Sequence, residues 1–247
     1  MAAKESLLPS PAARQAQRAL VDRRLLRFLR EHVYSTLPIL QQVAGYTSTQ
    51  GIRQALQRLE KGDLVRRFVL TGPGQRLQLW GITHTGQGMA FDLATEFPVT
   101  TAFEPSKVAY TTVPHHLDLQ LLRVKAEAVG WTEWQHGDRL GAVDKDGKRP
   151  DAVALDPSGK SVAIECERTM KAPQRYKLIL SSYLQAIRSG QFARVVWVSP
   201  TEDISQRIKK IILSITQVPV AGKQVSVDPT RHHQNLQFTF YQEWPNA

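Results

Sequence analysis

The stretch that most constrains this chain is RPDAVALDPSGKSVAIECER, residues 149–168. Two apolar runs flank Asp156-Pro157-Ser158-Gly159-Lys160. Proline there fixes φ for a type I turn and glycine takes a left-handed position, which is the chemistry of a three-residue hairpin loop with a bulge. If Asp156 and Lys160 close the loop, Asp151, five residues before it, falls opposite Glu165, five residues after it. Their Cβ atoms then stand about 5 Å apart on one face. Glu167, two residues on, shares that face on the diagonal. The same face holds Val153, Leu155 and Ala163, and the other holds Ala152, Ala154, Val162, Ile164 and Cys166. Both faces read as largely buried.

Three carboxylates in such a place repel one another and lose hydration, so they need a cation, a Lys or Arg partner, or a proton. A hard divalent ion, Mg²⁺ or Mn²⁺, suits an all-oxygen donor set. The alternative is a surface hairpin whose acids pair with Arg149, Arg168 or Lys171. Cys166 is the only cysteine, which excludes an internal disulfide and a thiolate zinc knuckle. The histidine doublets His115-His116 and His232-His233 put adjacent rings in different directions, so neither easily chelates one ion, and cap or interface roles suit His115 and His116 better. There is no GxxxxGK[ST], GxSxG or HExxH, so ATPase, serine-hydrolase and zinc-protease chemistries have nothing to rest on.

The 247 residues leave room for one large domain or two modest ones. Lys+Arg 32 against Asp+Glu 22 gives +10, which makes a polyanion the first partner to consider. No stretch approaches the roughly 18 apolar residues of a spanning helix, and the N-terminus has no signal-peptide core, so a cytoplasmic chain without membrane insertion is expected. Residues 1–16 read as a flexible tail. From 17 to 32, Leu20, Val21, Leu25, Phe28 and Leu29 form a helical stripe. A short helix at 37–44, Gly45, and a second helix with Ile52, Leu56 and Leu59 at helical spacing follow. Then LVRRFVL and RLQLWGI read as a hairpin joined by Thr71-Gly72-Pro73-Gly74-Gln75, and Thr83 starts a short helix. A linker with its boundary near Ser106 separates residues 17–105 from residues 106–247.

Three helices and a hairpin resemble a winged helix-turn-helix. That resemblance implies that the second helix of the pair enters the DNA major groove through Ser48, Gln50, Arg53, Gln54 and Gln57, with Arg66, Arg67 and Arg76 on the wing. A protein-binding winged helix with a solvated polar face is the alternative; Arg and Gln are the side chains that read base edges bidentately.

Pro150-Asp151 followed by Glu165-Cys166-Glu167 and a helix resembles the PD-(D/E)xK signature of restriction-endonuclease-like nucleases. The flanking elements fit, with helices at 118–129 and 174–188 and an apolar strand at 194–198. Glu167 stands where that family usually has lysine, and Lys171 or Lys177 is placed to supply the amine. The whole pattern, a winged helix, then HHLDLQLLRVKAE, RPDAVAL, IECERT and a Lys/Tyr-bearing helix, is similar to the replication-relaxation family and to the MOBC class of plasmid mobilisation relaxases.

The resemblance implies an α+β chain with a restriction-like mixed-sheet domain, catalytic Asp151, Glu165, Glu167 and Lys171, and Asp151, Glu165 and Glu167 as metal ligands. It further implies double-stranded DNA of a plasmid transfer origin as substrate, cut on one strand, with an accessory mobilisation protein and a coupling protein as partners. A DNA-binding regulator or initiator accessory with an inactive nuclease-like dimerisation domain is the competing expectation. Most relaxases carry a His-hydrophobe-His cluster, and this chain has none. Tyr176 and Tyr183, seven apart on one helix face, fall near the carboxylates, with aromatic packing beside Ile179, Leu180 and Ile187 as the plainer role. Glu127 reads as a solvated acid or a further metal-shell acid. Ile204, Ile208, Ile211, Ile212 and Ile215 form a core stripe with Arg207, Lys209 and Lys210 outside it.

Overall fold

The Ser10 hydroxyl accepts the Ala13 N–H at 3.1 Å, and Pro11 supplies the fixed φ of a first turn, so helix α1 (Pro11–His32) begins there and residues 11–16 of the expected tail are helical. The computed structural model describes residues 10–72, 75–91, 101–140 and 148–245. It divides into two compact units, Met1–Gln120 and Leu121–Ala247.

In the first unit α1 buries Val21, Leu25, Leu26, Phe28 and Leu29, whereas Leu20 is 61% exposed because it falls outside the arc that the buried residues span. Strand β1 (Tyr34–Ser35), helices α2 (Leu37–Ala44) and α3 (Thr49–Lys61), strands β2 (Val65–Gly72) and β3 (Gln75–Ile82) and helix α4 (His84–Met89) follow. The three strands form one antiparallel sheet in the order β1-β3-β2. Gly45 takes the left-handed position that ends α2, and the Thr83 hydroxyl caps α4. Leu25, Leu29, Leu40, Ile52, Leu56, Leu79 and Ile82 are solvent-free and make the core. Pro73 and Gly74, the tip of the expected hairpin loop, lie outside the described residues.

The expected linker near Ser106 is not where the units part. Phe103 is buried against Leu70, Leu79 and Val113, so apolar burial draws this segment into the first unit. Helix α5 (Val113–Ala128) starts earlier than the spacing predicts, and its first half is tied to the same unit. His116 Nε2 donates to the His32 carbonyl at 2.8 Å and the Gln120 amide donates to the Tyr34 carbonyl at 2.8 Å.

The second unit continues through β4 (Thr132–His136), β5 (Ala152–Leu155), β6 (Ser161–Cys166), α6 (Pro173–Arg188), β7 (Arg194–Ser199), α7 (Glu202–Leu213), β8 (Gln217–Val220), β9 (Lys223–Ser226), α8 (Pro229–His232) and β10 (Leu236–Phe240). A five-stranded sheet runs in the order β10-β7-β6-β5-β4. Its β10-β7 and β7-β6 pairs are parallel, and β6-β5 and β5-β4 are antiparallel. This is the α+β architecture with a mixed sheet that the sequence predicts. Ile179, Leu180 and Tyr183 of α6 and Ile208 and Ile212 of α7 pack with Ala163 and Trp197 of the sheet in one core. The Trp197 ring stands edge-on to Tyr183 at 5.8 Å and stacks on Phe238 at 5.1 Å. Arg207, Lys209 and Lys210 of α7 are exposed.

A candidate carboxylate site and a candidate DNA-reading helix

The turn chemistry sets the site. Asp156 N–H donates to the Lys160 carbonyl at 3.0 Å, Gly159 sits at φ +79°, and β5 and β6 pair from Leu155↔Ser161 to Ala152↔Ile164. Continued by one residue, that register puts Asp151 opposite Glu165. Asp151 Oδ2 accepts the Cys166 N–H at 2.9 Å. The Asp151 carbonyl accepts the Gly137 N–H at 2.9 Å, an approach that requires glycine, since a Cβ at 137 would meet the Pro150 carbonyl oxygen at 1.9 Å. Glu167 N–H donates to the Val198 carbonyl at 3.0 Å, which fixes its backbone beyond the end of β6.

Each glutamate meets a lysine. Lys148 Nζ lies 2.6 Å from Glu165 Oε1, and the Tyr183 hydroxyl donates to the same oxygen. Lys171 Nζ donates to Glu167 Oε2. Glu165 is 2% exposed and Glu167 4%. Burial pushes the Glu165 carboxyl up to about 7; the Asp151 charge adds to this, and the Lys148 ammonium and the two hydrogen bonds oppose it. Burial also raises Glu167, with Lys171 opposing and Asp151 adding. The Asp151 charge is thus a raising influence shared by both glutamates.

Sequence reasoning offered Arg149, Arg168 and Lys171 as partners for these acids and Lys171 or Lys177 as the amine. It missed Lys148, and only the course of residues 148–151 toward the sheet brings that ammonium in. Tyr183 packs in the core, as the plainer reading had it, and also bonds Glu165. The Tyr176 hydroxyl accepts the Lys171 N–H at 3.1 Å. Both rings are essentially solvent-free, and burial raises both phenols, so neither presents an accessible phenolate. Glu127 is exposed and pairs with Arg123 at 2.7 Å, which makes it a helix-surface acid. His232 Nδ1 accepts the Asp228 N–H at 2.9 Å, a local turn bond.

By the chemistry of its donors, all carboxylate oxygens, the set is of the kind that hard divalent cations take. Among the described residues, however, no three His, Cys, Asp or Glu side chains are gathered into a ready metal cage. Glu167 is held by Lys171. Around the acids, the segments just before Asp151 and just after Glu167 carry Lys148, Arg149, Arg168, Lys171, Arg175 and Lys177. These segments surround the acids with a local excess of positive charge.

In the first unit, the Ile52, Ala55, Leu56 and Leu59 face of α3 is buried, and Gln50, Arg53, Gln54 and Gln57 are exposed together. The Ser48 hydroxyl accepts the Gly51 N–H at 3.2 Å, so that residue caps the helix. Arg66, Arg67 and Arg76 are all exposed, but strand alternation separates them. Arg67, Thr71 and Arg76 share one face through the Thr71↔Arg76 pair. Arg66 belongs to the other, its guanidinium 5.4 Å above the Phe103 ring.

These features define a two-unit α+β protein with a basic helix-turn-helix unit and a sheet-end acid cluster. The family model for replication-relaxation matches residues 26–198, well over half of the chain, and the chain belongs to that family. Membership points to a role in replication or mobilisation and to DNA involvement. No curated protein and no solved structure matches the chain. Among the described residues no helix is long and apolar enough to cross a membrane.

Proposed function

We propose that this chain is a plasmid mobilisation relaxase of the MOBC class, working in the cytoplasm, whose winged helix finds the transfer origin and whose restriction-like domain nicks one strand. The observation that carries the reading is Glu165, buried, one position beyond the Ala152↔Ile164 pair, where the continued register brings it across from Asp151, and flanked by lysines and arginines. Asp151 and Glu165 would hold Mg²⁺ or Mn²⁺. When bound, such an ion polarises the scissile phosphate and lowers the pKa of an attacking water. The chain's own residues do the rest. Tyr183 fixes the Glu165 carboxylate, Lys171 keeps Glu167 oriented beside the pair, and Arg149, Arg168 and Arg175 attract and seat the phosphate backbone. Water is the nucleophile in this scheme, because Tyr176 and Tyr183 are buried.

Among the described residues there is one such cluster, and one cluster cuts one strand, so supercoiled plasmid bearing its own origin should become open circles with added Mg²⁺ or Mn²⁺. Primer extension on both strands should find a single nick on one of them. Staggered cuts on both would indicate a paired restriction-type enzyme. Origin binding with no cutting in either metal would make the chain a DNA-binding regulator with an inactive nuclease-like domain.

The α3 face gives a separate expectation. Arg53→Ala should cost about 1–3 kcal/mol of discrimination between origin and random duplex, as loss of a bidentate base contact does. Arg67→Ala should weaken both duplexes equally and reduce the salt slope by about one. Fluorescence anisotropy at two salt concentrations separates them, and equal losses on both duplexes for Arg53→Ala would remove it from base reading.

A further inference from the structure

Lys148 and Lys171 stand in different relations to the acid cluster. Lys171 pairs with Glu167 across four residues of local chain, and its side chain is 36% exposed. Lys148 is 20% exposed, reaches the innermost acid, Glu165, and also donates to the Arg149 carbonyl at 2.9 Å. Both bonds to Glu165 described above end on Oε1, so Tyr183 keeps that oxygen partnered if the ammonium departs. Tyr183 is anchored in the core between α6 and the sheet, while Lys148 sits on a four-carbon stem with freely turning donors. One of the two partners is fixed and the other exchangeable.

We propose that Lys148 is an exchangeable counter-ion: its ammonium neutralises Glu165 in the metal-free chain, yields to a divalent cation, and is transferred to a DNA phosphate oxygen. The inference rests on the metal-dependent reading above, and it adds that cation binding and DNA binding are coupled through this one side chain. A unit positive charge next to Glu165 opposes a second cation at the same carboxylate. Moving it onto a phosphate relieves that repulsion and adds a charge-assisted hydrogen bond to DNA. Duplex should therefore strengthen Mn²⁺ binding, and Mn²⁺ should strengthen duplex binding by the same factor.

The full wild-type chain tests this by reductive methylation of lysines read by mass spectrometry. Lys148 labelling should be low in chelator, rise severalfold with Mn²⁺, and fall again when duplex is added, with Lys171 changing less than Lys148. Lys148 labelling that ignores Mn²⁺ overturns the proposal. In a second measurement, free Mn²⁺ is followed by electron paramagnetic resonance. Lys148→Met should bind Mn²⁺ at least about tenfold more tightly than wild type without DNA, and should lose the mutual strengthening of Mn²⁺ and duplex. Equal or weaker Mn²⁺ affinity in that variant also overturns it. Neither readout needs cleavage. A chain that nicks normally while its Lys148 labelling stays flat refutes the exchange alone. A chain that never nicks but exposes Lys148 with Mn²⁺ refutes the nuclease reading and leaves the exchange standing.

Discussion

Asp151→Ala is expected to lower the rate of strand nicking at least about a thousandfold, which corresponds to about 4 kcal/mol of transition-state stabilisation, and to change origin binding less than about threefold. The side chain is half-buried and the Cys166 N–H donates to it at 2.9 Å, so some loss of fold stability accompanies the loss of that acceptor. Glu165→Ala should abolish nicking as fully, with a larger loss of stability, because it leaves Lys148 and the Tyr183 hydroxyl without their acceptor in a site that is nearly closed to water. Glu167→Lys is the informative companion. It introduces the residue commoner at this place in restriction-like nucleases but sets a second ammonium against Lys171, so reduced but measurable nicking is expected. Single-turnover nicking, with circular dichroism as the check on folding, measures all three. A wild-type rate in Asp151→Ala would end the nuclease assignment.

The second large effect lies at the other end of the hairpin. Asp156 is 7% exposed and accepts the Ser158 N–H at 2.9 Å, the Ser158 hydroxyl at 2.7 Å and the Lys160 N–H at 3.0 Å through one oxygen, and Arg194 at 2.5 Å through the other. Arg194 in turn donates to Gln237 at 2.9 Å, so one carboxylate ties the β5-β6 turn to β7 and β10. Asp156→Ala removes the carboxylate partner of a partly buried guanidinium, which keeps only its Gln237 bond, and the acceptor of two turn N–H groups, and should cost about 3 kcal/mol of stability. Asp156→Asn keeps the turn acceptor and should lose roughly half as much. Burial raises the Asp156 carboxyl, but the hydrogen bonds from Ser158, Lys160 and Arg194 outweigh it and hold it well below the ordinary carboxylate range. The stabilisation is therefore complete above the ordinary carboxylate pKa and is lost as pH falls below it toward the lower folded value. Urea midpoints at pH 7 and pH 3 should show the wild-type advantage over Asp156→Ala shrinking in acid. An advantage that does not shrink would place the effect in the turn backbone alone.

What the sequence determined by itself is what short-range chemistry encodes. Asp-Pro-Ser-Gly-Lys permits one tight turn, a turn fixes the register of the strands on either side, and the register places Asp151 across from Glu165 with no knowledge of the sheet. The buried face of α3 is equally local, because Ile52, Leu56 and Leu59 recur at the helical period whatever they pack against. The sequence grouped Arg66 with Arg67 and Arg76 on the wing, and it is the β2-β3 register and the Phe103 ring beneath Arg66 that set Arg66 on the other face. The tertiary structure decided the rest. Phe103 looks like a linker residue until Leu70, Leu79 and Val113 enclose it, and so the first unit runs on to Gln120. Lys148 and Tyr183 reach Glu165 from 17 residues before it and 18 after. No periodicity links a loop lysine, a strand acid and a helix tyrosine. Their meeting depends on how α6 packs on the sheet and how the chain enters β5, and long-range packing, not local pattern, sets both.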